Sequence, residues 1–283
     1  GLKEGLVQEE LIGVNPFQFG MIGATDGHLA NSGMTNENDY RNTGHFGALD
    51  WEPRRLLAFL PASGIESNGG GLAFVWAEEN TRDAIFDALK RREVYATSGT
   101  RPVLRMFGGW EIPTDACDMQ RSIEVADQNG VPMGGTLKSA PSGKKTPTFL
   151  VGAMKDSYSG NLDRIQIVKG WHDGKELHEK VYDVAWSGDR KFGANGKLPP
   201  VGNTVNVVTA SWTNTIGAPE LGVVWTDPDF DPTRRAFYYM RVIEIPTPRW
   251  SLYDAVRFDV KHPDDAPTST QERAYTSPIW YSP

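Results

Sequence analysis

Cysteine is almost missing from this sequence, with Cys117 as the single example among 283 residues. One cysteine cannot close an intrachain disulfide, and it cannot build a cysteine-based zinc site. A disulfide scaffold and a zinc module of that kind are therefore excluded. The unpartnered cysteine is compatible with the cytoplasm and with the periplasm.

Clustered positive charge and long apolar runs are also missing. The formal net charge is −7, and no stripe of Lys and Arg is visible. Because affinity for phosphate backbones requires clustered Lys and Arg, we exclude nucleic-acid binders. No run approaches the roughly 20 apolar residues of a membrane helix, so we expect no membrane span.

An initiator Met and a signal peptide are absent as well, and the chain begins with G-L-K-E-G-L. We therefore expect a part of a longer protein. What is present is typical of a folded protein: 39% hydrophobic residues, 11% aromatic residues and nine Trp. The length favours two domains over one.

Residues 1–112 mix helical and strand patterns. A short helix that ends at Gly13 is predicted first, and the strand F-Q-F-G-M-I-G follows Pro16. The strand L-A-F-V-W then precedes the helix T-R-D-A-I-F-D-A-L-K-R-R, which Asn80 or Thr81 can cap. The strand E-V-Y-A-T-S comes next. Strand, helix and strand in this order predict a βαβ unit with parallel pairing.

The helical period disappears beyond Pro113, where no segment reads as a convincing helix. Alternating or β-branched runs separated by Gly, Pro and Asn predict an antiparallel β-sandwich over residues 113–283. The runs are R-S-I-E-V-A, T-F-L-V-G-A-M, R-I-Q-I-V-K-G-W, V-N-V-V-T-A-S-W and A-F-Y-Y-M-R-V-I-E-I.

Four blocks carry a family resemblance: F-G-M-I-G-A-T-D-G-H, W-A-E-E-N-T-R-D-A-I-F-D-A-L-K-R-R-E-V-Y-A-T-S-G, G-V-P-M-G-G and A-F-Y-Y-M-R-V-I-E-I-P-T-P-R-W-S. Together they resemble the C-terminal part of a large uncharacterised bacterial family related to the PHP (polymerase and histidinol phosphatase) metal-dependent phosphoesterases. The resemblance implies an α+β fold, with the C-terminal portion of a distorted PHP-like β/α barrel over residues 1–112 and the sandwich after it. Relatives often look secreted, which favours a periplasmic or secreted location, with the cytoplasm left open.

The pair Asp26 and His28 follows the predicted strand F-Q-F-G-M-I-G. A carboxylate can bridge two divalent ions and an imidazole supplies a directional nitrogen ligand. The resemblance implies that the pair is the late Asp-x-His of a PHP site for divalent ions (Zn, Mn or Fe). The early His-x-His of that family is absent, so we expect either an N-terminal segment or chain of the same protein to complete the site, or a site that is lost. The alternative is a loop cap at Asp26 beside an exposed His28.

Further candidates lie in loops and at a strand end. His45, in N-T-G-H-F-G, is a candidate catalytic residue or metal ligand, against an ordinary solvated His. Thr97, Ser98 and Arg101 end the strand E-V-Y-A-T-S, where barrel enzymes place working residues. Small hydroxyls and an Arg can bind phosphate, so Thr97, Ser98 and Arg101 are predicted to bind substrate, with Arg101 a catalytic candidate. A capped turn with a surface Arg is the alternative.

Other residues are interpreted as structural. Glu78 and Glu79 are expected to favour the dipole at a helix N-terminus. His172, His178 and His262 are expected at the surface. The Trp side chains of the β region are assigned to core packing, with a stacking groove for a ligand as the alternative.

Two functional classes remain open. One is the end of a metal-dependent hydrolase that acts on a small-molecule phosphate ester or a related ester. The other is a non-catalytic ligand-binding or structural module with a degenerate metal site. Metal content of the completed protein distinguishes them.

Overall fold

The structure, a computed structural model, describes residues 1–27, 30, 32–40, 56, 65, 67–113, 119–140 and 146–283. This part of the chain is mixed α/β with mostly antiparallel sheets. The helices are α1 (Leu2–Ile12), α2 (Arg82–Arg91), α3 (Met119–Asn129) and α4 (Trp250–Arg257), with a 3-10 turn at Glu37–Asp39. The strands are β1 (Leu72–Val75), β2 (Val94–Thr97), β3 (Val103–Gly109), β4 (Gly130–Pro132), β5 (Thr136–Lys138), β6 (Thr148–Met154), β7 (Leu162–His172), β8 (Leu177–Trp186), β9 (Glu220–Thr226), β10 (Ala236–Glu244), β11 (Thr247–Pro248), β12 (Ser269–Thr270), β13 (Arg273–Thr276) and β14 (Ile279–Ser282).

Strand β10 organises the larger sheet. One edge of β10 pairs with β7, which in turn pairs with β8, and the other edge pairs with β13 and β14 along successive segments. β13 continues to β2 and β1, all antiparallel, while β14 pairs with β5 in parallel. The C-terminal ends of β2 and β10 and the start of β13 therefore meet at one end of this sheet.

The smaller sheet has the order β4, β3, β6, β9 and is antiparallel throughout. Its inner face packs on the larger sheet through one apolar cluster, to which Met106 and Phe149 contribute from one layer and Ile167 and Tyr238 from the other. The ring centroids of Phe149 and Tyr238 lie 4.4 Å apart. This packing agrees with the predicted sandwich-like arrangement. The described residues form no closed barrel, and a PHP-like barrel is not shown.

The predicted parallel βαβ unit is wrong in its strand direction. β1 and β2 pair directly and antiparallel, with Leu72 opposite Thr97 and Val75 opposite Val94. The helix between them forms as expected, and the Thr81 side chain accepts from the amide of Ala84. Arg92 has a left-handed conformation and ends α2, so β2 begins two residues later and runs back beside β1.

Two helices beyond Pro113 were not expected from the sequence. The run predicted as the strand R-S-I-E-V-A lies in α3, where Ile123 and Ala126 pack on the outer face of the smaller sheet. In α4, Trp250, Ser251, Leu252, Asp254 and Ala255 are all buried. α4 has only eight residues, so the stretch of chain that could show its helical period is shorter than the window such a pattern needs.

Two predicted strands are also wrong. Residues 17–27, which include F-Q-F-G-M-I-G, contain no strand, and V-N-V-V-T-A-S-W contributes an isolated bridge between Asn206 and Ser211. The first segment packs across the larger sheet instead of joining it: the Gly71 amide donates to the Ala24 carbonyl at 2.8 Å. Pattern alone cannot separate such a packed extended segment from a strand.

Helix α1 agrees with its prediction, since it ends at Gly13 with φ 76°. Leu6 buries against Phe237 and Trp280 of the larger sheet. β2 likewise pairs with β13. Both contacts connect residues on opposite sides of position 113, while the division into two domains stays a prediction. None of the helices in the described ranges has the length and apolar character needed to cross a bilayer.

Candidate functional site

A cavity of about 250 Å³ lies at the end of the larger sheet where β2 turns into β3. Its walls come from the turn Gly99–Arg101, the turn Asp156–Ser159 after β6, the segment Thr247–Tyr253 and Glu272 just before β13. Thr35 to Asn38 close one side. Segments far apart in sequence therefore meet here because three strand ends of one sheet coincide.

Gly99 fixes the turn between β2 and β3. Its φ is 142°, and an added Cβ would lie 3.0 Å from the Thr35 carbonyl oxygen. The Thr35 hydroxyl donates to the Gly99 carbonyl at 2.6 Å. A residue with a side chain would be strained in this conformation and would push against Thr35. The turn and the segment that begins at Thr35 are thus held together by close backbone contact.

Glu272 is a carboxyl group that faces the cavity and has a strongly raised pKa. Its side chain is 5% exposed and accepts a hydrogen bond from the Ser98 hydroxyl. Burial raises the pKa of Glu272 to about 8, and the nearby Glu37 adds to the effect, while the Ser98 bond opposes it. A pKa near the ambient pH suits a group that gives and takes a proton.

Glu244 lies behind Glu272, at the end of β10, and is 1% exposed. Its two oxygens accept from Thr100 at 2.6 Å and from Ser159 at 2.5 Å. Burial raises the pKa of Glu244 to about 7, and the charge of Asp156 adds to it. Neutral hydroxyls are thus the hydrogen-bond partners of a carboxyl group that is almost fully removed from water.

Glu37 is the third carboxyl group near this cavity with a raised pKa. Burial is the main cause, and it is opposed by the bond from the Trp250 amide and by the charge of Arg249. Arg249 itself is 8% exposed and donates to the carbonyl of Ser67 at 2.7 Å and to the hydroxyl of Ser251 at 3.0 Å. This arginine ties the start of α4 to the segment around Ser67.

Arg101 and Asp156 lie at the mouth. The Arg101 amide donates to Asp156 Oδ2 at 2.8 Å, and its guanidinium donates to the Gly33 carbonyl at 3.1 Å. Asp156 Oδ1 accepts from the Tyr158 amide at 2.9 Å. Asp156 is thus engaged with backbone amides, whereas the Arg101 side chain reaches across the opening.

Trp212 and Tyr253 form an aromatic wall. Both line the cavity. Burial raises the pKa of the Tyr253 hydroxyl, and Trp212 lies close enough to oppose this shift by lowering the pKa. The two rings line the same cavity as the carboxyl groups of Glu37 and Glu272.

The structure places the predicted strand-end residues at this cavity, with different contacts. Arg101 lines it. Ser98 does not line the cavity, but its hydroxyl donates to Glu272, which does. The same hydroxyl accepts from the Arg273 amide at 2.8 Å. Thr97 is buried, and its hydroxyl donates to the Thr100 carbonyl at 2.7 Å, so it shapes the turn. Binding roles for Thr97, Ser98 and Arg101 stay predictions.

Of the two predicted metal ligands Asp26 and His28, the structure describes only Asp26. Asp26 is described and has φ 52°, a left-handed conformation that is uncommon for residues other than Gly. Its segment passes beside the turn after β2, because a Cβ on Gly23 would lie 2.8 Å from the Thr97 carbonyl oxygen. Asp26 is not among the residues that line the cavity. His28 and His45 lie outside the described residues.

In the ranges that the structure describes, no group of three or more His, Cys, Asp or Glu side chains is arranged to hold a metal ion. Metal sites in proteins usually need at least three protein ligands. The described residues by themselves therefore do not fit a complete metal centre. Asp26 and His28 would supply part of one.

The positions of His172, Trp250 and Trp212 can be compared with their sequence interpretation. His172 is 9% exposed and pairs with Glu10 at 2.8 Å, so the expected surface position is wrong. Trp250 belongs to a buried cluster with Tyr40, as expected for core packing. Trp212 instead faces the cavity, which agrees with the alternative of a stacking groove.

Sequence reasoning missed Glu272 and Glu244, although a signal existed. Met240, Val242 and Glu244 alternate on the buried face of β10. Glu272, Ala274 and Thr276 do the same along β13. A carboxylate that falls in phase with core-facing positions of a strand is a candidate for burial and hence for a shifted pKa.

Comparison with known proteins gives one family. No curated protein and no solved structure matches the chain. The family described as "Protein of unknown function (DUF3604)" matches residues 1–283. Because the match covers every residue, the chain belongs to this uncharacterised family.

Proposed function

We propose that this chain supplies the substrate pocket and the proton-transfer group of a hydrolase, with the cavity beside the β2 to β3 turn as its site. One observation carries the proposal: the carboxyl group of Glu272 is buried, faces the cavity and has its pKa raised to about 8. Strongly shifted carboxyl groups in clefts are typical of acid and base catalysts.

The protonated Glu272 would act as general acid. It would donate its proton to the leaving alkoxide oxygen of an ester, which departs as an alcohol. The attacking water gives its oxygen to the acid product and returns one proton to the Glu272 carboxylate. Ser98 holds one Glu272 oxygen in place, and Glu37 and Glu244 keep the proton affinity high.

The resemblance to the PHP phosphoesterases adds a divalent ion to this proposal. Asp26 and His28 would be two of its ligands, and a segment or chain of the same protein outside this sequence would provide the others. A bound divalent ion of this kind supplies a water of lowered pKa and polarises the ester oxygens. Support from the structure is limited to position: the segment with Asp26 passes the Thr97 carbonyl that begins the turn.

Hydrolysis by the full-length protein tests the proposal. The substrates are p-nitrophenyl phosphate, bis(p-nitrophenyl) phosphate and p-nitrophenyl acetate, each with Zn²⁺, Mn²⁺ or Fe²⁺. We expect Glu272→Gln to keep its metal and to lose about 10²–10⁴-fold in kcat, the usual range for a lost proton donor. Asp26→Ala should lose metal and turnover together.

The control is Glu220→Gln, because Glu220 is exposed at the start of β9. Its activity should equal that of the unchanged protein. Full turnover in Glu272→Gln would contradict the assignment of the acid. Full metal content and turnover in Asp26→Ala would place the metal elsewhere.

A non-catalytic ligand-binding module is the second candidate, favoured by the ring surface that Trp212 and Tyr253 add to the cavity lining. It predicts binding without turnover of any ester under any metal condition. The same assays decide between the two candidates.

A further inference from the structure

We propose that the cavity binds an uncharged, hydroxyl-rich group of monosaccharide or polyol type, so that the substrate is an ester of such an alcohol. The ester part rests on the proposed hydrolase function, whereas the binding of the polyol rests on the cavity alone. Three features carry the inference: size, charge and the pairing of an aromatic wall with polar groups.

Size limits the ligand first. The cavity measures about 250 Å³, which is below the roughly 300–1,000 Å³ of pockets for drug-sized molecules. A nucleotide or a peptide segment of several residues would not fit within it. A single sugar ring or a short polyol matches this size.

Charge narrows the choice further. Among the described lining residues, Arg101 is the cation, and Asp156, Glu37 and Glu272 carry carboxyl groups. Burial raises the pKa of Glu272 to about 8, so this group is mostly protonated at pH 7. The positive charge of Arg249 acts on Glu37 and offsets a negative charge there. Arg101 and Asp156 then offset each other, so neither a free phosphate dianion nor an organic cation finds an uncompensated opposite charge.

The arrangement of groups favours a polyol over an apolar ligand. Trp212 and Tyr253 offer ring surface on one side. Asn36, Asn38 and Tyr158 offer groups that both donate and accept, and Glu272 can donate when protonated and accept when ionised. A sugar ring has a C–H face for aromatic contact and hydroxyls at its rim that need both kinds of partner. Apolar ligands would leave these polar groups unpaired, at a cost in affinity.

Equilibrium binding at pH 7 tests the inference, with saturation-transfer NMR and calorimetry on the whole chain. The probes are methyl β-D-glucopyranoside, methyl α-D-mannopyranoside, myo-inositol, inorganic phosphate and tetramethylammonium. We expect at least one neutral probe to bind in the millimolar range and the two ions to bind more weakly. Trp212→Ala should weaken the neutral probe about tenfold, the upper value for an aromatic contact.

Phe192→Ala is the matched control, because Phe192 is 47% exposed and packs on Trp186 in a loop that does not line the cavity. It should leave binding unchanged. Trp212→Phe keeps a ring and should lose less affinity than Trp212→Ala, which covers the case in which the alanine variant folds poorly.

Three results would overturn the inference: no neutral probe binds, an ion binds more tightly than every neutral probe, or the neutral probe binds Trp212→Ala and Trp212→Phe as well as the unchanged chain. Failure of the hydrolase proposal is a different result, because binding would persist while no ester is turned over.

Discussion

Buried carboxyl groups near the two ends of strand β10 are held in different ways. At one end Asp227 accepts from the Lys169 ammonium at 2.6 Å and from the Tyr238 hydroxyl at 2.8 Å. At the other end Glu272 and Glu244 are bound by the neutral hydroxyls of Ser98, Thr100 and Ser159. The Lys169 ammonium offsets the buried charge of Asp227. The hydroxyls that bind Glu272 and Glu244 carry no charge that could do the same.

The difference separates a structural role from a functional one. A carboxylate that is paired with a buried ammonium keeps its charge and stabilises one packing arrangement. A carboxylate with only hydroxyl partners gains a high pKa instead, which is the property an acid catalyst needs. Lys169 and Asp227 have side chains that are 4% and 0% exposed, so the contrast is not due to shallower burial at that end.

Removal of Lys169 should give the largest effect. Lys169→Met leaves Asp227 buried without its cation, and we expect a loss of about 3–5 kcal/mol in the free energy of unfolding. Urea denaturation measures it. The control is Lys180→Met, whose partner Asp229 is at the surface, with side chains 51% and 46% exposed. This change should cost at most about 1 kcal/mol. Equal losses in both variants would show that the buried pair is not special.

A side chain at Gly99 should also lower the free energy of unfolding. Gly99→Ala strains a φ of 142° and pushes the new Cβ toward the Thr35 carbonyl, so we expect a loss of about 1–3 kcal/mol. Gly188→Ala is the control, since Gly188 also has a positive φ (69°) but nothing within 4 Å of the added Cβ. A smaller loss at Gly99 than at Gly188 would contradict the tight contact between the turn and Thr35.

The pH dependence of stability gives a third test, with a defined sign. Glu272 has a folded pKa of about 8 against an ordinary value of 4.5, so the folded state binds more protons between these values. Its contribution is fully present below pH 4.5 and is lost as the pH rises through 8. Glu272→Gln should therefore gain stability relative to the unchanged chain as the pH rises from 5 to 9. A pKa difference of this size corresponds to a gain of up to about 4 kcal/mol in the free energy of unfolding.

Thermal unfolding at pH 5, 7 and 9 measures this gain. Glu220→Gln, at an exposed position, should show no trend with pH. If Glu272→Gln loses stability relative to the unchanged chain at pH 9, the buried carboxyl is stabilised as an anion and the assignment of its pKa is wrong.

The parts of the fold that the sequence predicts are those marked by short local patterns. Helices α1 and α2 were predictable because Gly13 and Thr81 mark their ends and an apolar stripe marks one face of α2. The strand end at Thr97 to Arg101 was predictable for the same kind of reason, as a polar turn after a β-branched run. The sandwich-like layers followed from the alternating runs.

Long-range packing explains the rest. The strands β2 and β13 are nearly 180 residues apart in sequence, and nothing local to either one indicates that they pair. The pocket depends on that pairing, because it brings Glu272 to the Ser98 hydroxyl. Helix α4 was missed because its eight residues are too few to show a helical period clearly. His28 and His45 lie outside the described residues, so their predicted roles stay predictions.

The protonation state of Glu272 can be read directly by carbon-detected NMR on protein labelled at the Glu carboxyl carbon, titrated from pH 4 to pH 10. The account predicts one carboxyl resonance that titrates near pH 8 and disappears in Glu272→Gln. A second resonance, from Glu244, should titrate near pH 7. If every Glu carboxyl titrates below about pH 5, as in unperturbed side chains, the cavity holds no proton donor for catalysis at neutral pH and the proposed mechanism is wrong.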